Sequence, residues 1–314
     1  MSYLKQFNPI TIIGAGVIGI SWAALFLANG YEVRINDISK TLEDDVINGI
    51  KDIEPTLKNL GYDTNELLKK LIIEKDQSKA VKGAKIIQEN GPENIEFKQN
   101  LYKNLEEYAD EKAIFLTSSS SIPASIISEK MESPERMCVG HPFNPPHLIP
   151  LVEIVPGKAT SELTLNKTKE FYESLGKSPI ILKKEINGFV ANRLQAAVFQ
   201  ECINLVLEGV VNPKDLDTVV ASSLGLRWAA DGPFLSFHLG GGNGGFEDFM
   251  SHLGKNMPNL WKQLGHPELN EDNIEKLINM VNAAYKQLSI SELASYRDKK
   301  QINIINSLNK SKTI

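Results

Sequence analysis

A six-residue run, Gly14-Ala15-Gly16-Val17-Ile18-Gly19, places three glycines at the spacing GxGxxG. It follows a short β-branched stretch, Ile10 to Ile13, and opens an apolar stretch, Val17 to Asn29, that reads as a buried helix ending at Gly30. Tyr31 to Asn36 then alternates like a second strand and runs into Asp37. Strand, glycine turn, helix and a strand closed by a carboxylate form the unit that holds a dinucleotide. Gly14 permits the tight turn, Gly16 lets backbone approach a pyrophosphate, and Gly19 lets the helix pack closely on the strand. The whole turn, Gly14, Ala15, Gly16, Val17, Ile18 and Gly19, is therefore the candidate cofactor contact, with the helix N-terminus facing the phosphates. Asp37 is suited to accept hydrogen bonds from a ribose diol and to repel a 2′-phosphate, which selects NAD over NADP; FAD is the competing cofactor.

Four further stretches carry groups that can do chemistry. They are Thr117-Ser118-Ser119-Ser120-Ser121-Ile122-Pro123, then Gly140-His141-Pro142-Phe143-Asn144-Pro145-Pro146, then Leu151-Val152-Glu153, and finally Gly188-Phe189-Val190-Ala191-Asn192-Arg193-Leu194. In this order and spacing they resemble the 3-hydroxyacyl-CoA dehydrogenase superfamily over essentially the whole chain. The resemblance implies His141 as general base, Glu153 as its partner, and Ser120 and Asn192 as groups that hydrogen-bond the substrate. The family's usual Asn-Thr before the serine pair is replaced by Ser118-Ser119, so the register within the four serines stays open by one residue. The chemistry asks for the same parts. Oxidising an alcohol by hydride loss needs a base for the hydroxyl proton, imidazole is matched to neutral pH, and a carboxylate on its other nitrogen fixes the tautomer.

Within the family, Leu224 to Ala229, Gly232 to Gly241 and Ser289 to Asp298 are most similar to the L-carnitine dehydrogenase branch, while the lambda-crystallin/L-gulonate 3-dehydrogenase branch shares several of these elements. A 3-hydroxybutyryl-CoA substrate is the third alternative, and a crystallin-like structural role is the non-enzymatic one. Carnitine pairs a trimethylammonium with a carboxylate. Phe143, Trp228, Phe234, Phe237 and Phe246 offer aromatic faces for the first, and Arg193 or Arg227 can meet the second. Core packing is the competing role for each ring. Gly240 to Gly245 lacks a preceding strand, so it reads as a flexible rim or plain connection and not as a second phosphate loop.

These residues need an α/β frame. Expected helices start near Ser39 and Thr64 and run from about Asn94 to Tyr108, with strands at Lys85 to Gln88 and Ala113 to Thr117 and alternation persisting to Leu182. Phe189 to Leu207 is a long helical run, and nearly everything after it reads as helix. The expected organisation is a Rossmann, doubly wound NAD-binding domain at 1–186 and an all-α substrate and dimerisation domain at 187–314. With 314 residues and 42% hydrophobic content there is material for such cores. A net charge of −5 gives no reason to expect nucleic acid as partner. Cys138 and Cys202, lacking metal or redox spacing, point to no metal and to a reducing cytoplasm. Val17 to Ala28 is too short for a membrane span and the start MSYLKQFNP lacks a secretory pattern. The resemblance also implies a homodimer acting on a small-molecule substrate.

Overall fold

Short β-branched runs buried on both faces build the centre of a parallel sheet. These are β1 (Ile10–Ile13), β4 (Ile86–Glu89) and β5 (Ile114–Thr117), every residue of which is buried. With β2 (Val33–Asn36), β3 (Leu71–Ile73), β6 (Met137–Pro142), β7 (Leu151–Pro156) and β8 (Ser178–Ile181) they form one eight-stranded sheet of order β3-β2-β1-β4-β5-β6-β7-β8. Pairing is parallel throughout except between β6 and β7. The helices Val17–Ala28, Leu42–Asn59 and Glu162–Ser174 bury Trp22, Phe26, Val46, Ile50, Phe171 and Tyr172 in one core, and Leu101, Tyr102, Phe115 and Ile127 belong to a second. This is the doubly wound α/β arrangement, and strand order reverses between β1 and β4, where such sheets bind ligands.

The computed structural model describes residues 6–310 and separates into two compact units, one running to Val190 with Asp298–Asn306 added, the other comprising Ala191–Arg297 and the chain from Ser307. The second unit is all helix and turn: Ala191–Leu207, Pro213–Val220, Leu226–Ala230, Gly232–Gly240, Gly245–His252, Met257–Trp261 and Glu271–Tyr285 are its helices before the long C-terminal helix Ile290–Lys310. Among the described residues, no helix is long and apolar enough to cross a membrane, and no cluster of three or more His, Cys, Asp or Glu residues is arranged to hold a metal ion.

Three segments differ from the sequence expectation. The helix expected from Thr64 is a single 3-10 turn, Leu67–Lys70, followed at once by edge strand β3. Glu66 takes φ 55, which breaks the helix, and Leu71, Ile72 and Ile73 pair with Val33, Arg34 and Ile35. The spacing of Leu67, Leu68 and Leu71 fits a helix, but sheet-edge hydrogen bonds and β-branched Ile72-Ile73 decide it. The helix expected from Phe189 begins at Ala191, because Phe189 has φ 48 and is fully buried in the first unit's core. Gly240 to Gly245 is a tight joint between two helices and not a free rim: Gly245 takes φ +61, and a Cβ there lies 2.5 Å from the His238 ring.

Candidate active site

The glycine turn sits where β1 and β4 end. Gly14 donates its N–H to Asn36 (2.8 Å), and Asn90 donates its own to Ile13 (2.7 Å). Gly14 has φ +94, and a Cβ on it meets the Asn90 backbone at 2.9 Å; a Cβ on Gly19 lies 1.9 Å from the Gly14 carbonyl oxygen. A Cβ on Gly16 meets no protein atom within 4 Å. Two glycines are thus fixed by the protein's own packing, and the third leaves open room in front of a helix N-terminus that has no side-chain cap and no acidic residue in its first turn. Asp37 closes this turn, accepting from Ala15 N (2.7 Å) and Ser39 N (2.9 Å). Val17 is 74% exposed and Ile18 partly so. An open cradle of amides beside an aligned carboxylate fits the diphosphate and ribose of NAD. Gly19→Ala is expected to destabilise the fold by about 1–3 kcal/mol through this backbone clash. It should also weaken NADH binding, read by fluorescence titration alongside thermal melting; unchanged Tm and affinity contradict it.

Direct antiparallel pairing makes the second feature. His141 on β6 is the register partner of Glu153 on β7, so the two side chains share one face of the sheet. His141 Nδ1 lies 3.0 Å from Glu153 Oε2, and both residues are buried. The remaining Glu153 oxygen accepts the Val190 N–H at 2.8 Å. The imidazole packs against Phe189 (5.3 Å between ring centroids) and Phe143 (6.0 Å). The positive φ of Phe189 is backbone strain of a kind that persists only where its surroundings enforce it. Here the Gly188-Phe189-Val190 turn presents a ring to His141 and an amide to Glu153.

The serine run forms a turn after β5, gathered by one carboxylate that sequence reasoning missed. Glu93 Oε1 accepts from Ser119 Oγ (2.7 Å), Ser120 N (3.0 Å), Ser121 N (3.0 Å) and Ser121 Oγ (2.9 Å). Burial opposes its charge, but the hydrogen bonds from Ser119 and Ser121 and the nearby Lys98 ammonium outweigh it and hold the carboxyl below its ordinary range. Lys98 is itself buried, donating to both oxygens of buried Glu89 (2.7 and 2.8 Å), and lies 3.8 Å from Glu93. Ser118 donates to Asn90 Oδ1 (2.7 Å) and accepts from the Trp22 indole (3.2 Å). The hydroxyls of Ser118, Ser119 and Ser121 are thereby committed within the protein, while Ser120 is exposed with only its amide tied. An isolated Glu in Asn90-Gly91-Pro92-Glu93 gives no periodic signal, which is why this anchor was invisible. Cys138 is buried on β6 beside Thr168, and burial pushes its thiol up to about 12, so it is a core residue and not a nucleophile.

In the second unit, Asn192 is partly buried and Arg193 exposed at the start of the Ala191–Leu207 helix. Trp228 lines a cavity of about 930 Å³ with Leu194, Val198, Phe199, Cys202 and Val220. Arg227 beside it is exposed. Phe237 stacks on Phe249 (4.6 Å), which also meets Phe246 (6.0 Å); Phe234 is 77% exposed and 6.0 Å from Phe246. Phe234 and Phe237 therefore belong to a phenylalanine cluster, Trp228 to the cavity wall, and Phe143 to the first unit.

Comparison with known proteins gives the family. Residues 9–186 match the 3-hydroxyacyl-CoA dehydrogenase NAD binding domain and residues 188–276 the C-terminal domain of the same family. An L-carnitine dehydrogenase of Bacillus cereus is 35% identical over 293 residues, 93% of this chain and 90% of the relative. A 3-hydroxyacyl-CoA dehydrogenase of Gibberella moniliformis is 42% identical over 253 residues, 80% of this chain and 78% of the relative. Among solved structures, FHMPC 5-dehydrogenase, an NAD+-dependent dismutase, superposes with a TM-score of 0.81 at 26% identity, covering 96% of this chain and 99% of its own. The chain belongs to the 3-hydroxyacyl-CoA dehydrogenase family and is an NAD-dependent dehydrogenase.

Proposed function

We propose that the protein oxidises the 3-hydroxyl of L-carnitine to the ketone, giving 3-dehydrocarnitine and NADH. The observation that carries the reaction type is the buried His141–Glu153 pair on paired strands of the NAD-binding unit. His141 takes the hydroxyl proton through Nε2, the ring nitrogen turned away from Glu153. Glu153 holds the Nδ1 proton and stabilises the imidazolium that forms. Bound at the glycine turn, NAD would supply the acceptor for the hydride of C3. Ser120, its amide fixed by Glu93, and Asn192 hold the substrate oxygen so that proton and hydride leave together.

The carnitine assignment is supported by L-carnitine dehydrogenases as relatives over nearly the whole chain. It also has a chemical basis. Aromatic faces from the set Phe143, Trp228, Phe234 and Phe237 attract a trimethylammonium, each by about 0.5–2 kcal/mol. Arg193 or Arg227 meets the carboxylate. A second reading, 3-hydroxyacyl-CoA as substrate, is favoured by the Gibberella relative. NADH formation from L-carnitine, L-gulonate and 3-hydroxybutyryl-CoA separates the readings: turnover with carnitine is expected, and turnover with a rival alone contradicts it.

In this reading residues 1–186 bind NAD and residues 187–314 complete the substrate site and form a homodimer working in the cytoplasm. The helical unit supports dimerisation. Of the large apolar side chains within Ala191–Arg297 only Val206 and Phe249 are buried, while Leu194 (59%), Phe199 (61%), Val219 (60%) and Leu226 (67%) are exposed. Light scattering should therefore give twice the chain mass, and a monomer at micromolar concentration contradicts it.

A further inference from the structure

The segment Phe143 to Pro150 must return the chain from β6 to β7 with His141 still opposite Glu153, yet it contains no helix or strand of its own. The amides of Leu148 and Ile149 serve the Pro145 carbonyl and that of Ser178 the Pro150 carbonyl, but the carbonyls of Pro146 and Ile149 take a side-chain donor. Lys177, in the turn between the Glu162–Ser174 helix and β8, supplies it. Its side chain is buried, and its Nζ donates to the carbonyls of Pro146 and Ile149, the latter at 2.6 Å. The same Nζ lies 5.5 Å from the centroid of the Trp22 ring. Trp22 is fully buried on the helix opened by the glycine turn, and its indole N–H reaches Ser118 of the serine turn. Its neighbour Ser21 accepts the His147 N–H at 2.9 Å and lies 2.8 Å from His147 Nδ1. The β6–β7 connection is thus fastened to the dinucleotide helix at two points, through Ser21 and through Lys177 with Trp22.

We propose that Lys177 is a positioning residue for the reaction, clamping the β6–β7 connection to the dinucleotide helix so that His141 stays aligned with both the cofactor and the serine turn. The inference rests on the reading of His141 as the base. An apolar residue satisfies the demand for burial more cheaply than an amine does, so a buried lysine here needs a reason that burial alone does not provide. The two carbonyls are that reason. Burial pushes the Lys177 ammonium down to about 7. A neutral amine still has two N–H donors for two carbonyls, so those two bonds hold on either side of that value, while the attraction to the Trp22 ring belongs to the ammonium.

The test compares Lys177→Met, which keeps length and loses the donors, with Lys177→Gln, which keeps an amide donor. Both are assayed as full chains at saturating NAD, which stabilises the folded state by mass action, and kcat is referred to the number of NADH-binding sites found by titration. Lys177→Met is expected to lose about 10- to 100-fold in kcat per site, the size of effect that follows small misplacement of reacting groups. Its KM for NAD should stay within about twofold. The primary isotope effect with substrate deuterated at C3 should rise, because hydride transfer becomes slower than the steps around it. Lys177→Gln should recover part of the loss. A kcat per site within about twofold of wild type with an unchanged isotope effect overturns the proposal. Loss of NADH binding in both variants overturns it too, since Lys177 is then a structural residue only. His141→Ala is run in parallel: if it still turns over, the base assignment itself has failed, whereas an inactive His141→Ala beside a normal Lys177→Met removes the clamp alone.

Discussion

His141→Ala loses about two to four orders of magnitude in kcat and binds NADH as the wild type does. The size follows from the role. The hydride cannot leave at neutral pH without a group to take the hydroxyl proton, and water admitted in place of the imidazole is a poor base held in no orientation. The separation of kcat from cofactor affinity follows from the architecture: His141 stands on β6, whereas the glycine turn and Asp37 are built by β1, β2 and the contact of Gly14 with Asn90 on the β4 side. Steady-state kinetics with NADH titration on the same preparation reads both. Retained turnover places the base elsewhere, and joint loss of turnover and NADH binding means the substitution has damaged the fold.

Glu153→Gln is the second large effect, about 10²- to 10⁴-fold in kcat, although it changes neither size nor shape. The reason lies in the two partners of the carboxylate. Val190 N–H requires an acceptor at one oxygen, so the glutamine carbonyl takes that place and its NH2 faces His141 Nδ1. An amide donor there obliges Nδ1 to accept, which moves the ring proton to Nε2 and leaves the imidazole unable to take a proton from substrate. Glu153→Ala is expected to be less specific, removing the tautomer control and leaving the Val190 amide without its acceptor. Nitrogen NMR of labelled His141 distinguishes the tautomers: wild type carries the neutral-ring proton on Nδ1, Glu153→Gln on Nε2. An unaltered tautomer together with wild-type kcat contradicts this account.

The parts legible in the sequence were those with a repeating or local signal. Continuous apolar runs at Ile10 to Ile13 and Ala113 to Thr117 announced buried strands, and the glycine spacing announced a turn whose packing leaves no room for a Cβ at Gly14 or Gly19. Long-range pairing was out of reach of such signals. Antiparallel β6–β7 pairing sets His141 across from Glu153, and nothing in the spacing alone fixes that register. Glu93, Lys98 and Lys177 are charged residues in polar or mixed surroundings, where the ordinary expectation is a solvated side chain. Glu93 instead gathers the serine turn, Lys98 is buried against Glu89, and Lys177 ties down an irregular connection. At Thr64 the periodic signal misled, because three leucines at helical spacing serve a 3-10 turn and an edge strand equally well.

In the proposed reaction the histidine held by Glu153 takes the proton from the hydroxyl on the very carbon that gives its hydride to the nicotinamide. The most direct measurement is a crystal structure of the NAD complex with an unreactive carnitine analogue. A substrate oxygen is expected within hydrogen-bond reach of His141 Nε2, about 2.6–3.2 Å, with the carbon bearing it about 3–3.5 Å from nicotinamide C4. A nicotinamide lying in a different cleft from the His141 ring contradicts it.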